Sequence, residues 1–310
     1  MAMRMKFQQL STLIALVEAG SIRGAARALN LTQPALTARV AELEREVGAS
    51  LVNRSAHGTT LTPIGRALLV HAKIIDNQIR RAEDEIAQLS GRGVASVSIG
   101  ASPLAAVEIL APLLLPLARY DANAHLRVIE GQFQEMSMAL REGALDLVIA
   151  PIPLGKPANK TFHFEELVAY PMHVVGRAGH PLERCKRLAG LQSARWVVGA
   201  ATHNKRSTLE ELYIQHGMPA PTIAVHADAI TLVLASVTSS DLLALLPPPL
   251  YTGWPDRIRP LPIEDAIRPL RLGLITLAGT PLTPIAERFV ALVRQRSALL
   301  AKSLAARRRR

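Results

Sequence analysis

Seventeen residues near the start of the chain, Ser21-Ile-Arg-Gly-Ala-Ala-Arg-Ala-Leu-Asn-Leu-Thr-Gln-Pro-Ala-Leu-Thr37, constrain the local fold more than any other stretch. Ser21 is a hydroxyl N-cap for a short helix that carries Ile22, Ala25, Ala26 and Leu29 on one face. Asn30 and Leu31 leave room only for a tight turn. Thr32 caps a further helix, with Pro34 in its first turn, where a missing N–H costs nothing. Leu36, Val40, Leu43 and Val47 form the buried stripe of that helix, and Gly48 stops it. Upstream, Phe7, Leu10, Ile14 and Val17 recur at spacings of three and four, and Gly20 ends their helix. The expectation is three short helices on one small core.

A hairpin pattern follows. Residues 51–54 and 59–62 read as short extended runs around Ser55-Ala56-His57-Gly58. Thr62 and Pro63 then open a long helix in which Leu68, Ala72, Ile75, Ile79, Ala82, Ile86 and Leu89 are spaced 4, 3, 4, 3, 4, 3. That alternation is the a/d seam of a two-stranded coiled coil. From Pro63 to Leu89 the helix spans about 40 Å at ~1.5 Å per residue. Gly91-Arg92-Gly93 reads as a linker that arrives before any core the helix could cover. The seam is therefore read as a dimerising face, not as a face packed on its own domain.

Beyond the linker the pattern changes to alternating strands and helices. Strands are expected at 94–100, 126–130, 145–150, 167–176, 196–198, 223–226, 242–246 and 270–277. Helices are expected at 105–119, 136–141, 208–216, 232–237 and 284–300. Units of this length imply parallel pairing and a doubly wound sheet. The apolar run from Ile109 to Leu117 is broken by Pro112 and Pro116, and Pro247-Pro248-Pro249 reads as a strand exit. The fold class is α/β: an N-terminal winged helix-turn-helix at 1–62, a linker helix at 63–90, an α/β domain at 91–301 and a basic tail at 302–310.

The formal net charge of +11 is unevenly placed. Residues 1–90 carry 11 Lys and Arg against 8 Asp and Glu, residues 91–300 carry 20 against 17, and the last ten carry five against none. Nearly half the excess thus sits on Lys302 and Arg307–Arg310, which reads as a solvated, disordered end. Charge alone does not establish a nucleic-acid partner. The single cysteine, Cys185, excludes an intrachain disulfide framework or thiolate metal cluster and fits a reducing cytosol. Its basic neighbours in Glu-Arg-Cys-Lys-Arg can lower a thiol pKa, but a plain thiol is the simpler reading than a redox sensor. The N-terminus lacks a signal peptide's apolar core, and no window approaches the ~20 apolar residues of a membrane span. A soluble cytoplasmic protein without a membrane partner is expected. The nine histidines are scattered, and no metal-ligand spacing, nucleophile elbow, P-loop or dinucleotide fingerprint is present. Neither an enzyme nor a cofactor or metal site is expected.

In a helix pair of the first kind, the second helix can enter the major groove and offer its N-terminal side chains to base edges. With Leu36 and Val40 inward, the outward face holds Gln33, Pro34, Thr37 and Ala41. Gln33 can read adenine in a bidentate way, and Thr37 can hydrogen-bond or touch a thymine methyl. Thr32 both caps the helix and reaches a phosphate. Arg27, Arg39, Arg54 and His57 are placed for the backbone, the last two from the wing. A helical packing module without a ligand is the bland alternative, but it gives the small polar face no purpose.

Residues 7–66 resemble the DNA-binding half of the LysR-type transcriptional regulators. The resemblance is carried by Phe7, Ala25-Ala26, Leu29, Thr32-Gln33-Pro34-Ala35-Leu36-Thr37, Leu43-Glu44, Gly48, Leu51, Arg54 and Leu61-Thr62-Pro63-Ile64-Gly65. It continues through Gly143-Ala-Leu-Asp146-Leu and Asp241-Leu-Leu-Ala-Leu-Leu-Pro247, and so covers nearly the whole chain. Val52 stands where the family often has Phe, and Thr32 and Thr37 stand where it has Ser. Within the family, Ala101-Ser102-Pro103 resembles the subgroup that regulates para-toluenesulfonate degradation. The resemblance implies a homo-oligomer, dimer or tetramer, on double-stranded promoter DNA, with RNA polymerase as a further partner. It also implies a two-subdomain effector half similar to periplasmic binding proteins. Subdomain I would take 94–165 plus 267–301, and subdomain II 166–266.

Ligands of open α/β sheets sit beyond the carboxyl ends of strands, at helix N-termini. Ser102 and Pro103 hold that position after the first strand, Gln132 and Phe133 after the second. Thr202 and His203 follow the Trp196 strand, and Asp228 and Ile230 open the helix after 223–226. Bland readings stand beside each: Ser102 and Thr202 as ordinary caps, Phe133 as core, His203 as a surface residue. A small organic anion, a carboxylate or sulfonate, is the expected effector. Two other classes stay open: a DNA-binding architectural protein without a ligand, and a solute-binding protein with a fused helical module.

Overall fold

The computed structural model describes residues 5–55, 58–90, 96–120, 125–152, 160–199 and 207–308. The chain divides into two compact units, Met1–Val94 with Met138–Leu145, and Ala95–Ser137 with Asp146–Arg310.

The first unit opens with α1 (Phe7–Ala19), α2 (Ile22–Ala28) and α3 (Gln33–Val47). The expected punctuation is in place. Gly20 and Gly48 take the left-handed φ of 64° and 74° that ends α1 and α3. Ser21 Oγ accepts from the Gly24 N–H at 3.1 Å, and Thr32 Oγ1 accepts from the Ala35 N–H at 3.4 Å. Leu13, Leu16, Ala25, Leu36, Val40, Leu43 and Leu51 form the core. The wing is the antiparallel pair β1 (Val52–Ser55) and β2 (Gly58–Leu61). Glu44 Oε1 fixes it to α3 by accepting from the N–H groups of Leu51 and Val52 at 2.8 and 3.2 Å.

Thr62 caps α4 (Pro63–Leu89), accepting from the Gly65 N–H at 3.0 Å and donating to the Ser50 carbonyl at 2.7 Å. A Cβ on Gly65 would lie 2.1 Å from the Leu51 carbonyl oxygen, so only glycine permits this close approach of wing and helix. Here one expectation is corrected. The start of α4 does have a core to cover: Leu68, Leu69 and Ala72 pack on Leu10 and Ile14 of α1. The seam is free only beyond that point, where Ile75 is 41% and Ile86 66% exposed.

The second unit holds two sheets. The first contains β3 (Ser96–Ala101), β4 (His125–Glu130), β5 (Leu147–Pro151), β6 (Phe162–Tyr170) and, from the far end of the chain, a returning strand, Leu270–Leu277. β3 lies between β4 and β5, parallel to both. The second sheet contains β7 (His173–Arg177), β8 (Arg195–Gly199), β9 (Thr222–Ala227), β10 (Leu242–Leu246) and β11 (Ile258–Pro260). Numbering the returning strand β12, the orders are β4-β3-β5-β12-β6 and β11-β7-β10-β8-β9. Each sheet is therefore mixed, not wholly parallel: β12 runs antiparallel to β5 and β6, and β7 antiparallel to β10.

Two boundaries differ from expectation. The extended stretch 167–176 is two strands, β6 and β7, in different sheets. Pro171 lacks the N–H that a continuing ladder needs, so the chain leaves one sheet there and enters the other. The expected subdomain division at 165/166 consequently falls inside β6.

Helices connect the strands. α5 (Pro103–Ala105), a π-helical turn (Ala106–Leu110) and α6 (Ala111–Tyr120) follow β3 as one continuous helical run that contains Pro112 and Pro116, as expected for 105–119. Pro112 cannot offer an N–H to the Glu108 carbonyl, and Arg296 Nε donates to that oxygen instead, at 3.0 Å. α7 (Phe133–Glu142) follows β4, α8 (Thr208–Gln215) follows β8, and α9 (Ile230–Ser239) precedes β10. Pro248–Leu250 is a 3-10 turn. The closing helix α10 (Pro284–Arg308) runs through the stretch expected to be a disordered basic tail; Leu300 and Leu304 still pack on the first sheet's core, which carries the helix onward.

Candidate nucleic-acid interface and effector cleft

The start of α3 presents an open face. Thr32, Gln33, Pro34, Ala38 and Ala41 are exposed, while Leu36 and Val40 are buried on the opposite side. Thr37 and Arg39 are half-buried and Arg27 is exposed. Ala38 was absent from the sequence reading; it is small, and like Ala41 it adds no obstacle to a groove floor. The side chain of Arg54, and His57 altogether, lie outside the described residues. The face is a capped helix N-terminus with short side chains, and the wing is tied to the same helix through Glu44. Such a surface fits against a duplex without a cavity or a buried charge.

The second site is a cleft of about 350 Å³ between the two sheets of the second unit. In each sheet a central strand is followed by connections to opposite sides: β3 beside β5 in one, β8 beside β10 in the other. A crevice opens beyond the carboxyl ends of strands at such switch points. Ser102 and Pro151 follow or end β3 and β5 in its wall, and Gly199 and Leu246 do the same for β8 and β10.

The structure brings three of the expected residues into this wall: Ser102, Pro103 and Gln132. Ser102 is 5% exposed; its N–H donates to the Ile149 carbonyl at 2.9 Å, and its Oγ accepts from the Ala105 N–H at 3.4 Å. It is an N-cap and a cleft residue at once. The Gly131 N–H donates to the Ala101 carbonyl at 3.0 Å, which holds the Gln132 loop beside it.

Three expected residues are not among the cleft lining. Phe133 packs edge-on against Phe162 and Phe164, at ring-centroid distances of 5.3 and 5.7 Å, so aromatic packing claims its ring. Asp228 is exposed, and Ile230 packs toward the core under α9; Val233, one turn further along, reaches the cleft instead. Thr202 and His203 lie outside the described residues.

The sequence reading missed Ser207 and Thr208, which open α8 and line the cleft. Their signal was legible: Ser207 and Glu210 form a capping box, with Ser207 N and Oγ donating to Glu210 Oε2 at 2.7 and 2.8 Å and the Glu210 N–H returning to Oγ at 3.2 Å. Met172, Leu246, Pro247 and Leu250 complete an apolar side with no local signature. None of the described lining residues is charged. Next to Met172 and Leu250, His173 Nδ1 meets Tyr251 Oη at 2.5 Å. Burial lowers the His173 pKa from its ordinary 6.5 and pushes the Tyr251 hydroxyl up to about 12. No three His, Cys, Asp or Glu among the described residues are grouped to hold a metal ion. No helix among them is long and apolar enough to cross a membrane.

Comparison with known proteins bears on both sites. The family signature described as "Bacterial regulatory helix-turn-helix protein, lysR family" matches residues 7–66. "LysR substrate binding domain" matches residues 90–298. The HTH-type transcriptional regulator GbpR of Azospirillum brasilense is 27% identical over 301 residues, covering 95% of this chain and 87% of that protein. PcaQ of Agrobacterium fabrum is 28% identical over 271 residues, covering 79% and 84%. Among solved structures, CbnR, a LysR family transcriptional regulator, shares the fold with a TM-score of 0.71 at 22% identity, covering 94% of this chain and 99% of that one. Full-length CbnR complexed with its target DNA gives a TM-score of 0.70, also at 22% identity, covering 94% and 100%. None of these carries the name of the para-toluenesulfonate subgroup. Two family signatures that together span most of the chain, each falling on one of the two sites, lead to one conclusion: the chain belongs to the LysR family of transcriptional regulators, with a DNA-binding helix-turn-helix half and an effector-binding half.

Proposed function

We propose that the protein is a cytoplasmic regulator that grips a pseudo-palindromic promoter site as a homo-oligomer and is switched by a small organic anion in the cleft between its two sheets. The observation that supports the ligand reading best is the cleft itself, open at the switch points of both sheets with Ser102 and Ser207 at helix starts on its two sides. Backbone N–H groups at helix starts favour a negative charge, and the hydroxyls of Ser102 and Thr208 with the Gln132 amide supply donors around it. The uncharged, largely aliphatic remainder suits a compact apolar body. Gln33 and Thr37 read base edges, while Thr32, Arg27 and Arg39 hold phosphates, joined by Arg54 and His57 from the wing. The free stretch of α4 around Ile75 and Ile86 pairs with a second copy, which places two reading helices on one duplex. RNA polymerase is the further partner at the promoter.

A ligand can act only through differential affinity for two arrangements of the protein. The test is to capture genomic fragments on the purified full chain at moderate salt, sequence them, and repeat the capture with metabolites of the genes beside the enriched sites. An enriched inverted repeat whose occupancy or length of protection changes with one organic acid supports the proposal. Sequence-blind, salt-sensitive retention would overturn it in favour of an architectural protein.

A further inference from the structure

A second cleft, of about 410 Å³, opens at the opposite ends of the same two strands that end in the effector cleft. β8 and β10 begin there, with Arg195 paired in register to Leu242, so Arg195 and Asp241 stand at the starts of neighbouring strands. They do not satisfy each other. Asp241 Oδ1 accepts a hydrogen bond from Arg177 Nε at 2.8 Å and forms an ion pair with Arg177 Nη2 at 2.7 Å, and Oδ2 accepts no hydrogen bond among the described residues. Arg195 is exposed, and its side chain makes no hydrogen bond or ion pair among the described residues.

The back wall is rigid. His180 is buried, and both its ring nitrogens are engaged. Nδ1 accepts from the Leu182 N–H at 3.0 Å, so Nε2 carries the hydrogen and donates to the Asp241 carbonyl at 3.1 Å. Arg177 is braced in turn on the carbonyls of Ala178 and Gly179 at 3.2 and 2.9 Å. Asp241 is thus held by backbone and side chain in one place, in the wall of a cleft whose other charged lining residue is Arg195. Leu182 and Leu242 give the same cleft an apolar surface.

We propose that this cleft binds a small zwitterion of the α-amino acid class, its carboxylate on Arg195, its ammonium on Asp241 Oδ2 and its side chain against Leu182 and Leu242. A simple anion meets the Asp241 carboxylate, and a simple cation meets two guanidinium groups. A ligand bearing both charges on one carbon satisfies both walls across strands that lie ~4.8 Å apart. The volume is within the range of small-molecule sites, roughly 300–1,000 Å³.

The probe is L-leucine, titrated calorimetrically into the full-length protein. Saturable binding is expected, weakened about tenfold or more by Arg195→Gln and by Asp241→Asn. N-acetyl-L-leucine, which lacks the ammonium, and L-leucinamide, which lacks the carboxylate, are expected to bind at least tenfold more weakly. Thr208→Trp, at an exposed position in the wall of the effector cleft, should leave the affinity unchanged. Absence of saturable binding overturns the proposal. So does loss of binding in the Thr208 variant with Arg195→Gln unaffected, or equal binding of N-acetyl-L-leucine. Circular dichroism of each variant separates lost binding from lost fold; Arg195→Gln removes no internal contact and carries the test if Asp241→Asn unfolds.

Discussion

In the proposed reading, sequence recognition turns on Gln33. It is exposed at the first position of α3, and neither Thr32 nor Pro34 competes for its amide. Gln33→Ala should cost about 1–3 kcal/mol in operator binding and relax preference at one base pair. Competition binding against singly substituted operators reads both quantities, and unchanged values would place the helix in a different register on the duplex. At this scale the sequence was most informative where a residue has a local duty. Ser21, Thr32, Gly20 and Gly48 declare caps and stops by chemistry alone, and each is found in that role. Ser207 declared itself in the same way through Glu210 and was overlooked. Phe133, Asp228 and Ile230 are not among the cleft lining, and position after a strand or at a helix start is shared by cleft and non-cleft residues. What sorts them is the aromatic cluster of Phe162 and Phe164, which arrives from another strand and has no trace in local spacing.

Among elements, α4 divides its seam between two tasks. Leu68 and Ala72 serve the first unit's own core, and Ile75 and Ile86 are left to solvent in the single chain. Ile86→Asp, or the double change with Ile75→Asp, should shift the protein toward monomer at micromolar concentration without lowering its helix content. Sedimentation velocity reads the first and circular dichroism the second; an unchanged mass would show that the oligomer is built elsewhere. The helical run from Pro103 to Tyr120 makes a different point. The expected helix runs through two prolines, and Arg296, almost two hundred residues later in the chain, serves the Glu108 carbonyl that Pro112 cannot. Arg296→Met should cost about 1 kcal/mol of stability, and less when Pro112→Ala restores an N–H at that turn. Denaturant midpoints of the four proteins close this cycle, and strict additivity would refute the compensation. Helix periodicity was legible throughout; this long-range rescue and the change of sheet at Pro171 were not, because tertiary partners decide both.

For the molecule as a whole, His173 ties stability to pH. Burial lowers its pKa from 6.5, so the unfolded chain takes up a proton at a higher pH than the folded one. The stability present above 6.5 is therefore lost as pH falls from that value toward the folded pKa. His173→Asn should flatten this part of the urea-midpoint profile between pH 7.5 and 5.5, and an unaltered slope would assign it to other groups. Close by, the chain crosses between the sheets twice, at Pro171-Met172 and between β11 and β12. The crossings leave paired strands on both sides: Tyr170 is registered with Leu270 in one sheet, and Val175 with Pro260 in the other. A body hung on one strap can twist, tilt and slide. A body hung on two adjacent straps, like a door on two pins, keeps a single easy swing. The effector half is then expected to act as a one-parameter instrument: ligands of different shape but equal bulk should set the same angle, and ligands of graded bulk should fall in one order.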